Sequence, residues 1–144
     1  MRMWHKDLIP YLPNRFLSTQ WVDCRVISNA WNNGVLKDKY TVKVMDYPKS
    51  HFIEYCNSVF TELVKRGYHP NNQFIEEYEE EHVAKSDLFK DWHNKRYLIQ
   101  CFFMLEECYD CGLITREEFE KVKLYCSTQI SKFDMYWQAF NFRE

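Results

Sequence analysis

The amino-terminal residue and one early carboxylate are the groups in this sequence best suited to act together chemically. The chain starts Met1-Arg2, and a methionine before arginine should be retained, because its removal requires a small second residue. An α-amine titrates near about 7.7 to 8.0, so part of it is uncharged at neutral pH and can attack an electrophilic carbon. A nearby carboxylate, such as Asp23, could protonate the departing group or hold the resulting imine. Met1 and Asp23 therefore have the chemistry of a catalytic pair, but every protein has an N-terminus and many have an aspartate near residue 20, so taken alone the pair would be a coincidence.

Composition predicts the kind of fold that must position these groups. The 144 residues suit one domain, 1–144, and 46% apolar with 18% aromatic residues indicate a packed core. Only three glycines and four prolines are present, which favours helices with short connections over a turn-rich β-sandwich. We expect an all-α fold: a single compact helical domain with irregular connections.

Charge and hydropathy limit the classes of partner. No apolar run approaches the roughly 20 residues of a membrane span, and no signal-peptide pattern is seen at the start. We therefore expect a cytoplasmic protein without membrane association. The formal net charge of −2 argues against strong non-specific attraction to nucleic acid. Any DNA-binding role must depend on a local basic patch.

Six cysteines in such a chain are expected to be reduced thiols, most of them on apolar helix positions. Cys108-Tyr-Asp-Cys111 has the spacing of half a zinc site, but neither a second Cys-x-x-Cys nor a His pair follows. Packing is the simpler role for these two cysteines. We expect no metal and no cofactor.

Apolar residues recur at helical spacing in several stretches. A first helix is predicted from Asn14 to about Ile27, followed by a polar connection over 28–41. A second helix begins around Pro48 and ends at Lys65-Arg66-Gly67, where basic residues and glycine favour a helix C-terminus. The acidic run 76–82 is expected to be a solvated segment.

The second half of the chain predicts a helical hairpin. A broad apolar stripe from Lys95 to Cys111 indicates a central helix with Gly112 as its cap. Thr115-Arg-Glu-Glu118 has the form of a capping box, and helical spacing continues from there to Phe133. The aromatic tail 133–144 is expected to pack onto the body, with stacking on a base as the alternative.

Several sequence words resemble the pyrimidine-dimer DNA glycosylase family, typified by phage endonuclease V and its small bacterial relatives. They are Met1-Arg-Met-Trp-His-Lys-Asp-Leu-Ile-Pro-Tyr-Leu-Pro, Met45-Asp-Tyr-Pro-Lys-Ser-His-Phe, Glu62-Leu-Val-Lys-Arg-Gly-Tyr, Arg96-Tyr-Leu-Ile-Gln-Cys and Tyr109-Asp-Cys-Gly. The resemblance is collinear to about residue 120. It implies a compact helical domain that cuts the glycosidic bond of a damaged pyrimidine through an imine at the N-terminal amine, then breaks the strand by elimination.

The resemblance also places the functional positions. The amine falls on Met1, the adjacent arginine on Arg2 and the catalytic carboxylate on Asp23. The family has glutamate there, commonly after an arginine, whereas this chain has Val22 before Asp23. Aspartate is one methylene shorter, and a misplacement of about 1 Å can cost about a hundredfold in rate. Reduced or lost activity is therefore one expected consequence.

Damaged double-stranded DNA is the partner that the resemblance implies, with the protein acting as a monomer. Arg25 follows Val22 by three residues, on nearly the same helix face, and can substitute for the missing arginine. For His5, a role as a hydrogen-bonded structural residue is slightly favoured over a catalytic one. The expected DNA contacts are Arg2, His5, Arg15, Trp21 and Arg25.

Two alternatives keep the helical fold without the reaction. In the first, a catalytically altered family member binds a nucleotide, a modified base or a protein partner, which the acidic charge and the changes at Val22 and Asp23 favour. In the second, the aromatic termini are core elements of a helical interaction module without a site. Adding a residue before Met1 would then leave function intact.

Overall fold

The first helix begins directly after a proline, as the sequence predicts. The computed structural model describes residues 2–71 and 83–131, so Met1, the acidic run 76–82 and the tail 133–144 lie outside the described residues. Helix α1 spans Asn14–Asn32 with Pro13 at its N-cap, where a missing backbone N–H costs nothing. A 3₁₀ helix, Lys6–Tyr11, precedes it.

Helix α1 continues past its predicted end. The expectation that residues 28–32 belong to a polar connection is wrong, because α1 reaches Asn32. The reason is Trp31, one turn after Ile27, whose ring centroid lies 5.7 Å from that of Phe52. This contact stabilises one more turn of α1. The helix then stops before Gly34, which has φ 69°, a left-handed conformation that glycine adopts at little cost.

Helix α2 has the ends that its sequence predicts. A second 3₁₀ helix, Val42–Asp46, leads into it and buries Val44. Helix α2 then spans Lys49–Lys65 with Pro48 at the N-cap. Gly67 follows with φ 91°, so the proline start and glycine stop are both confirmed.

The predicted helical hairpin is present. Helix α3 spans Lys95–Asp110, and helix α4 spans Arg116–Gln129 with the predicted capping box between Thr115 and Glu118. Helix α4 is shorter than expected: Ile130 is already extended and buried against the core. Burial of that side chain off the helix axis explains why the apolar spacing continues beyond the last helical residue.

The class is all-α, as predicted: residues 2–71 and 83–131 contain four α-helices, the two 3₁₀ helices above and a third at Lys85–Asp87, and no strand. Helix α1 packs on α2 and α3 packs on α4, while the first 3₁₀ helix contacts both α2 and α4. The start of the chain therefore lies between the two helical pairs. No helix in the described segments is long and apolar enough to cross a membrane. The buried cysteines are Cys24, Cys56, Cys101 and Cys126.

Candidate active site and nucleic-acid interface

The extended residues before the first 3₁₀ helix are bound to α1 by one buried amide. Gln20 is 1% exposed. Its Oε1 accepts a hydrogen bond from the Trp4 N–H at 2.7 Å, and its Nε2 donates to the Arg2 carbonyl at 2.9 Å. A buried amide must be hydrogen-bonded at both ends to be tolerated. The side chain therefore fixes the backbone of residues 2–4 against α1.

Two tyrosines, the buried Tyr55 and the half-buried Tyr97, hold the same segment from the other helices. The Tyr55 hydroxyl of α2 lies 2.7 Å from the Trp4 carbonyl and 2.8 Å from Gln20 Oε1, and its single hydrogen can serve either. The Tyr97 hydroxyl of α3 donates to the Met3 carbonyl. Burial raises the pKa of both phenols well above 10, so both remain neutral donors at physiological pH.

Asp23 lies one turn along α1 from Gln20. Residues three apart share a helix face, so its carboxylate lies near the level where Gln20 binds Arg2. The side chain is half-buried, and within the described segments its oxygens accept no hydrogen bond. Burial raises the pKa of Asp23; the positive charge of the amino terminus opposes this shift and the negative charge of Asp38 adds to it. A raised pKa suits a carboxyl group that must deliver a proton.

Arg2 connects this acidic position with a basic cleft. Its guanidinium carbon lies 5.9 Å from the centroid of the Tyr97 ring, within the range of a cation–π contact. The cleft has a volume of about 390 Å³ and combines cationic with aromatic side chains. One carboxylate, that of Asp91, is among its described lining residues. The cations are Arg2, Lys39, Lys43 and Arg96; the aromatic rings are Tyr40, Trp92 and Tyr97.

The rim of this cleft contains unusual backbone conformations. Phe89 has φ 51° and Asp91 has φ 74°, and left-handed backbone at residues other than glycine costs free energy. The turn is held in place by packing and hydrogen bonds: Phe89 is fully buried, and its N–H donates to His51 Nδ1 at 3.1 Å. The neighbouring Trp92 and Asp91 are thereby presented at the edge of the cleft.

The other predicted arginines lie at different places. The Arg15 guanidinium donates to the Leu113 carbonyl at 3.0 Å. Neither Arg15 nor Arg25 lines the cleft. Arg25 is exposed on α1, on the face where Val22 is 45% exposed. Arg25 thus lies on the helix that carries Asp23, while Arg15 contacts the turn between α3 and α4. Their contacts with DNA remain predictions.

The predicted contacts His5 and Trp21 occupy buried positions. His5 is 2% exposed; its Nδ1 accepts from the Asp7 N–H at 3.1 Å, and its ring stacks on His93 at 5.2 Å. Burial, as the largest cause, lowers the pKa of His5. Trp21 is 8% exposed, and its Nε1–H donates to the Asn71 carbonyl at 3.1 Å. These contacts favour structural roles for both, and a DNA contact from either stays a prediction.

Sequence reasoning missed several residues of the site. Gln20 and Tyr55 gave no local signal, because their partners lie 16 and 51 residues away. Lys39 lies in the Lys-Asp-Lys cluster of the connection, where it passed as an ordinary solvated charge. Among the described residues, no three His, Cys, Asp or Glu side chains gather as a metal site requires. Cys108 is partly buried and Cys111 exposed at the end of α3.

The comparisons with known proteins give a family. The chain belongs to the all-α class. Its amino-terminal segment lies between α1, which carries Asp23, and a cleft lined by cationic and aromatic side chains. The sequence profile of the pyrimidine dimer DNA glycosylases matches residues 1–76, just over half of the chain, and the protein therefore belongs to that family. The match includes Gln20, Asp23 and Tyr55. No curated protein and no solved structure gives a match.

Proposed function

We propose that this protein is a DNA glycosylase with associated abasic-site lyase activity on damaged duplex DNA, the damage being a pyrimidine dimer or an abasic site. The α-amine of Met1 is the nucleophile and Asp23 its carboxylate partner. The observation that carries the proposal is the clamping of residues 2–4 onto α1, one turn from the half-buried Asp23 and beside the cationic cleft. Membership of the family supports a repair glycosylase in general.

The proposed chemistry has two steps. The uncharged amine attacks C1′ of the damaged nucleotide, so that a C–N bond forms while the glycosidic bond breaks and the base leaves with its electron pair. The nitrogen then loses a proton while the C1′–O4′ bond breaks and O4′ is protonated, which opens the sugar ring and gives the imine; Asp23 supplies or removes the protons that the base and sugar require. Elimination then removes a proton from C2′ and expels the 3′ phosphate. Hydrolysis of the imine restores the free amine.

The cleft supplies what the substrate requires outside the reaction. Arg2, Lys43 and Arg96 present positive charge toward a phosphate backbone, and such contacts supply most of the affinity for DNA. The Tyr40 ring at the edge of the cleft, which is 66% exposed, offers a surface for a base that has left the stack. Because Arg2 lines the cleft and is bonded to Gln20, bound DNA would lie beside the amine-bearing segment.

Borohydride trapping tests the proposal. Duplex DNA with an abasic site or a pyrimidine dimer is incubated with the protein and sodium borohydride, and the adduct is mapped by peptide mass spectrometry. A stable adduct on the Met1 nitrogen is expected, and it should disappear when that amine is acetylated or extended by one residue. No adduct, or an adduct only on lysine side chains, would contradict the proposal. The intact mass before reaction establishes that the amine is free.

The rival function, binding without chemistry, is favoured by one observation: the charges and rings of the cleft can hold a nucleotide or modified base whether or not Asp23 reacts. Its signature is saturable binding of a nucleoside monophosphate or damaged duplex, together with no strand cleavage and no trapped adduct. Loss of that binding in Lys43→Ala, with the same failure to trap, would establish the binding role.

A further inference from the structure

Three consecutive carbonyls near the start of the chain each lie within hydrogen-bond distance of a donor on a different helix. The Arg2 carbonyl accepts from Gln20 on α1, the Met3 carbonyl from Tyr97 on α3, and the Trp4 carbonyl lies 2.7 Å from the Tyr55 hydroxyl on α2. Nonpolar packing alone would let an extended segment slide, because it has no direction. Hydrogen bonds to successive carbonyls fix both its register and its rotation.

Gln20 makes the most specific of these contacts. In an extended chain, the carbonyl of one residue and the N–H of the second residue after it point to the same side. The Gln20 amide matches this pair, because its Nε2 donates to Arg2 and its Oε1 accepts from Trp4. The side-chain amide of Gln20 thus makes the two hydrogen bonds that a neighbouring β-strand would make. Tyr55 also lies 2.8 Å from the same Oε1.

Neither of these side chains can reach a ligand. Gln20 is 1% exposed and Tyr55 0% exposed, so neither can touch a substrate in the cleft or in solvent. The backbone that they hold carries Arg2, which does line the cleft. It also carries the proposed nucleophile, one residue before Arg2. Any effect of these side chains on the reaction must therefore pass through the position of that backbone.

We infer that Gln20, supported by Tyr55, is a positioning residue: by fixing the backbone of residues 2–4 against the helix that carries Asp23, it orients the amino-terminal nucleophile for reaction. This inference rests on the proposed function. Misplacement of a reacting group by about 1 Å can cost about a hundredfold in rate. A loss of register at residues 2–4 therefore slows imine formation, while Lys39, Lys43 and Arg96, which belong to other parts of the cleft, remain in place.

The sharpest test is Gln20→Glu, because its hydrogen-bonding pattern changes with pH. A protonated carboxyl group donates one hydrogen bond and accepts others, so it can still serve both Arg2 and Trp4. The ionised carboxylate only accepts, and it would place a negative oxygen against the Arg2 carbonyl. Burial raises the pKa of such a group. The variant should therefore position the amine correctly at low pH and lose that positioning as the pH rises.

The measurement is the single-turnover rate of trapping by sodium cyanoborohydride, which reduces imines and survives at pH 5, on abasic duplex, expressed as the ratio of variant to wild type at each pH. The ratio cancels the titration of the amine itself. We expect a ratio near one at about pH 5 that falls roughly 10- to 100-fold by about pH 8, with a much smaller change in DNA affinity, because only Arg2 among the cleft cations lies in the affected segment. Tyr55→Phe should trap about 10-fold more slowly at every pH. Tyr47→Phe is the control, since that hydroxyl donates to the Lys90 carbonyl at 2.8 Å, away from the segment.

The outcomes separate this inference from the proposed function. If wild type forms no adduct at Met1, the proposed function fails. If wild type forms the adduct but the Gln20→Glu ratio is independent of pH, or Tyr55→Phe matches wild type, the positioning role is overturned while the function stands. Circular dichroism at each pH establishes that the variants are folded. Should Gln20→Glu unfold at high pH, Tyr55→Phe alone decides.

Discussion

Asp23 is the one carboxylate on α1. Burial raises its pKa, and no hydrogen bond from the described residues restrains its oxygens. A carboxylate fixed by several donors would be a poor proton carrier, since each donor stabilises the ionised form. Asp38, by contrast, accepts from the Thr41 N–H at 3.1 Å and the Thr41 hydroxyl at 2.9 Å. The two acidic residues therefore have different roles: Asp38 closes a turn, and Asp23 remains available.

Asp23→Asn should abolish the reaction without weakening the binding of DNA. The amide cannot exchange protons, and loss of a general acid or base typically costs about 10²- to 10⁴-fold in rate. We expect that loss in single-turnover cleavage of abasic duplex, with an unchanged dissociation constant for DNA. Asp23→Glu should retain activity, because it restores the longer carboxylate of the family pattern. Asp46→Asn, exposed on the second 3₁₀ helix, is the matched control; equal rates for Asp23→Asn and this control would exclude Asp23.

At the scale of elements, one buried lysine joins the start of the chain to the third 3₁₀ helix. Lys6 is 7% exposed, and its Nζ donates to the Lys85 and Leu88 carbonyls at 2.7 Å each and to the Ser86 carbonyl at 3.4 Å. Burial, the largest cause, lowers the pKa of Lys6. Where the fold covers these carbonyls, water has little access to them. The Lys6 ammonium group therefore donates the hydrogen bonds that water would otherwise donate.

Lys6→Met should therefore destabilise the fold. The thioether fills most of the space but donates nothing, and a buried carbonyl without a partner costs about 1 to 3 kcal/mol. We expect the free energy of unfolding to fall by about 2 to 3 kcal/mol in urea titrations, with an unchanged slope. Lys85→Met, which changes an exposed neighbouring lysine, should have little effect. Equal midpoints for the two variants would show that Lys6 is not a structural link.

The same contact between elements predicts a dependence of stability on pH. His93 is 5% exposed; its Nδ1 accepts from the Lys6 N–H at 2.9 Å, and its Nε2 has no partner among the described residues. Burial lowers the pKa of His93 well below 6.5, and the charges of His5 and Lys6 act in the same direction. Near pH 6.5 His93 therefore binds a proton in the unfolded chain but not in the native chain. Stability is full above that pH and decreases below it.

We expect the free energy of unfolding to decrease from about pH 7.5 to about pH 5.5, with His93 contributing up to about 1.4 kcal/mol per pH unit below its unfolded pKa. The pKa of His5 and that of His51 are lowered by burial as well, so they add to the slope. His93→Asn keeps an acceptor for the Lys6 N–H and removes the titration. Urea midpoints at four pH values should show a flatter profile for this variant; parallel profiles would contradict the assignment.

The elements themselves were predictable where their signals are local. The proline start and glycine stop of α2 and the capping box of α4 depend on residues a few positions apart, and all were confirmed. The end of α1 was missed, because its last turn depends on a contact between Trp31 and α2. Local spacing cannot report which distant surface a side chain will meet.

The site was less predictable for the same reason. Asp23 was found through the resemblance, but Gln20 looked like an ordinary polar residue on a helix. Its importance lies in hydrogen bonds to a segment 16 to 18 residues earlier. Likewise, the cleft brings Lys39 and Lys43 together with Arg96, which lies more than 50 residues further along the chain. Such a cluster exists only in the folded state.

At the scale of the whole molecule, the distribution of charge matters more than its sum. The net charge is −2, yet four cations and a single carboxylate are found among the described residues of the cleft. A local potential of this kind attracts a polyanion even when the total charge is slightly negative, because screening limits interactions to about 8 to 10 Å at physiological salt. The local basic patch that any DNA role requires is therefore present.

The salt dependence of DNA binding tests whether this cleft is the DNA-binding surface. Each phosphate neutralised releases counterions and contributes about −0.9 to the slope of log K against log salt. Lys43→Ala and Arg96→Ala should each weaken binding and make that slope shallower by about one, as measured by fluorescence anisotropy between about 50 and 200 mM salt. Lys123→Ala, exposed on α4, should leave both quantities unchanged. A flat slope for the wild-type protein would exclude a DNA backbone and favour the small-ligand or protein-binding role, since only a polyelectrolyte carries condensed counterions to release.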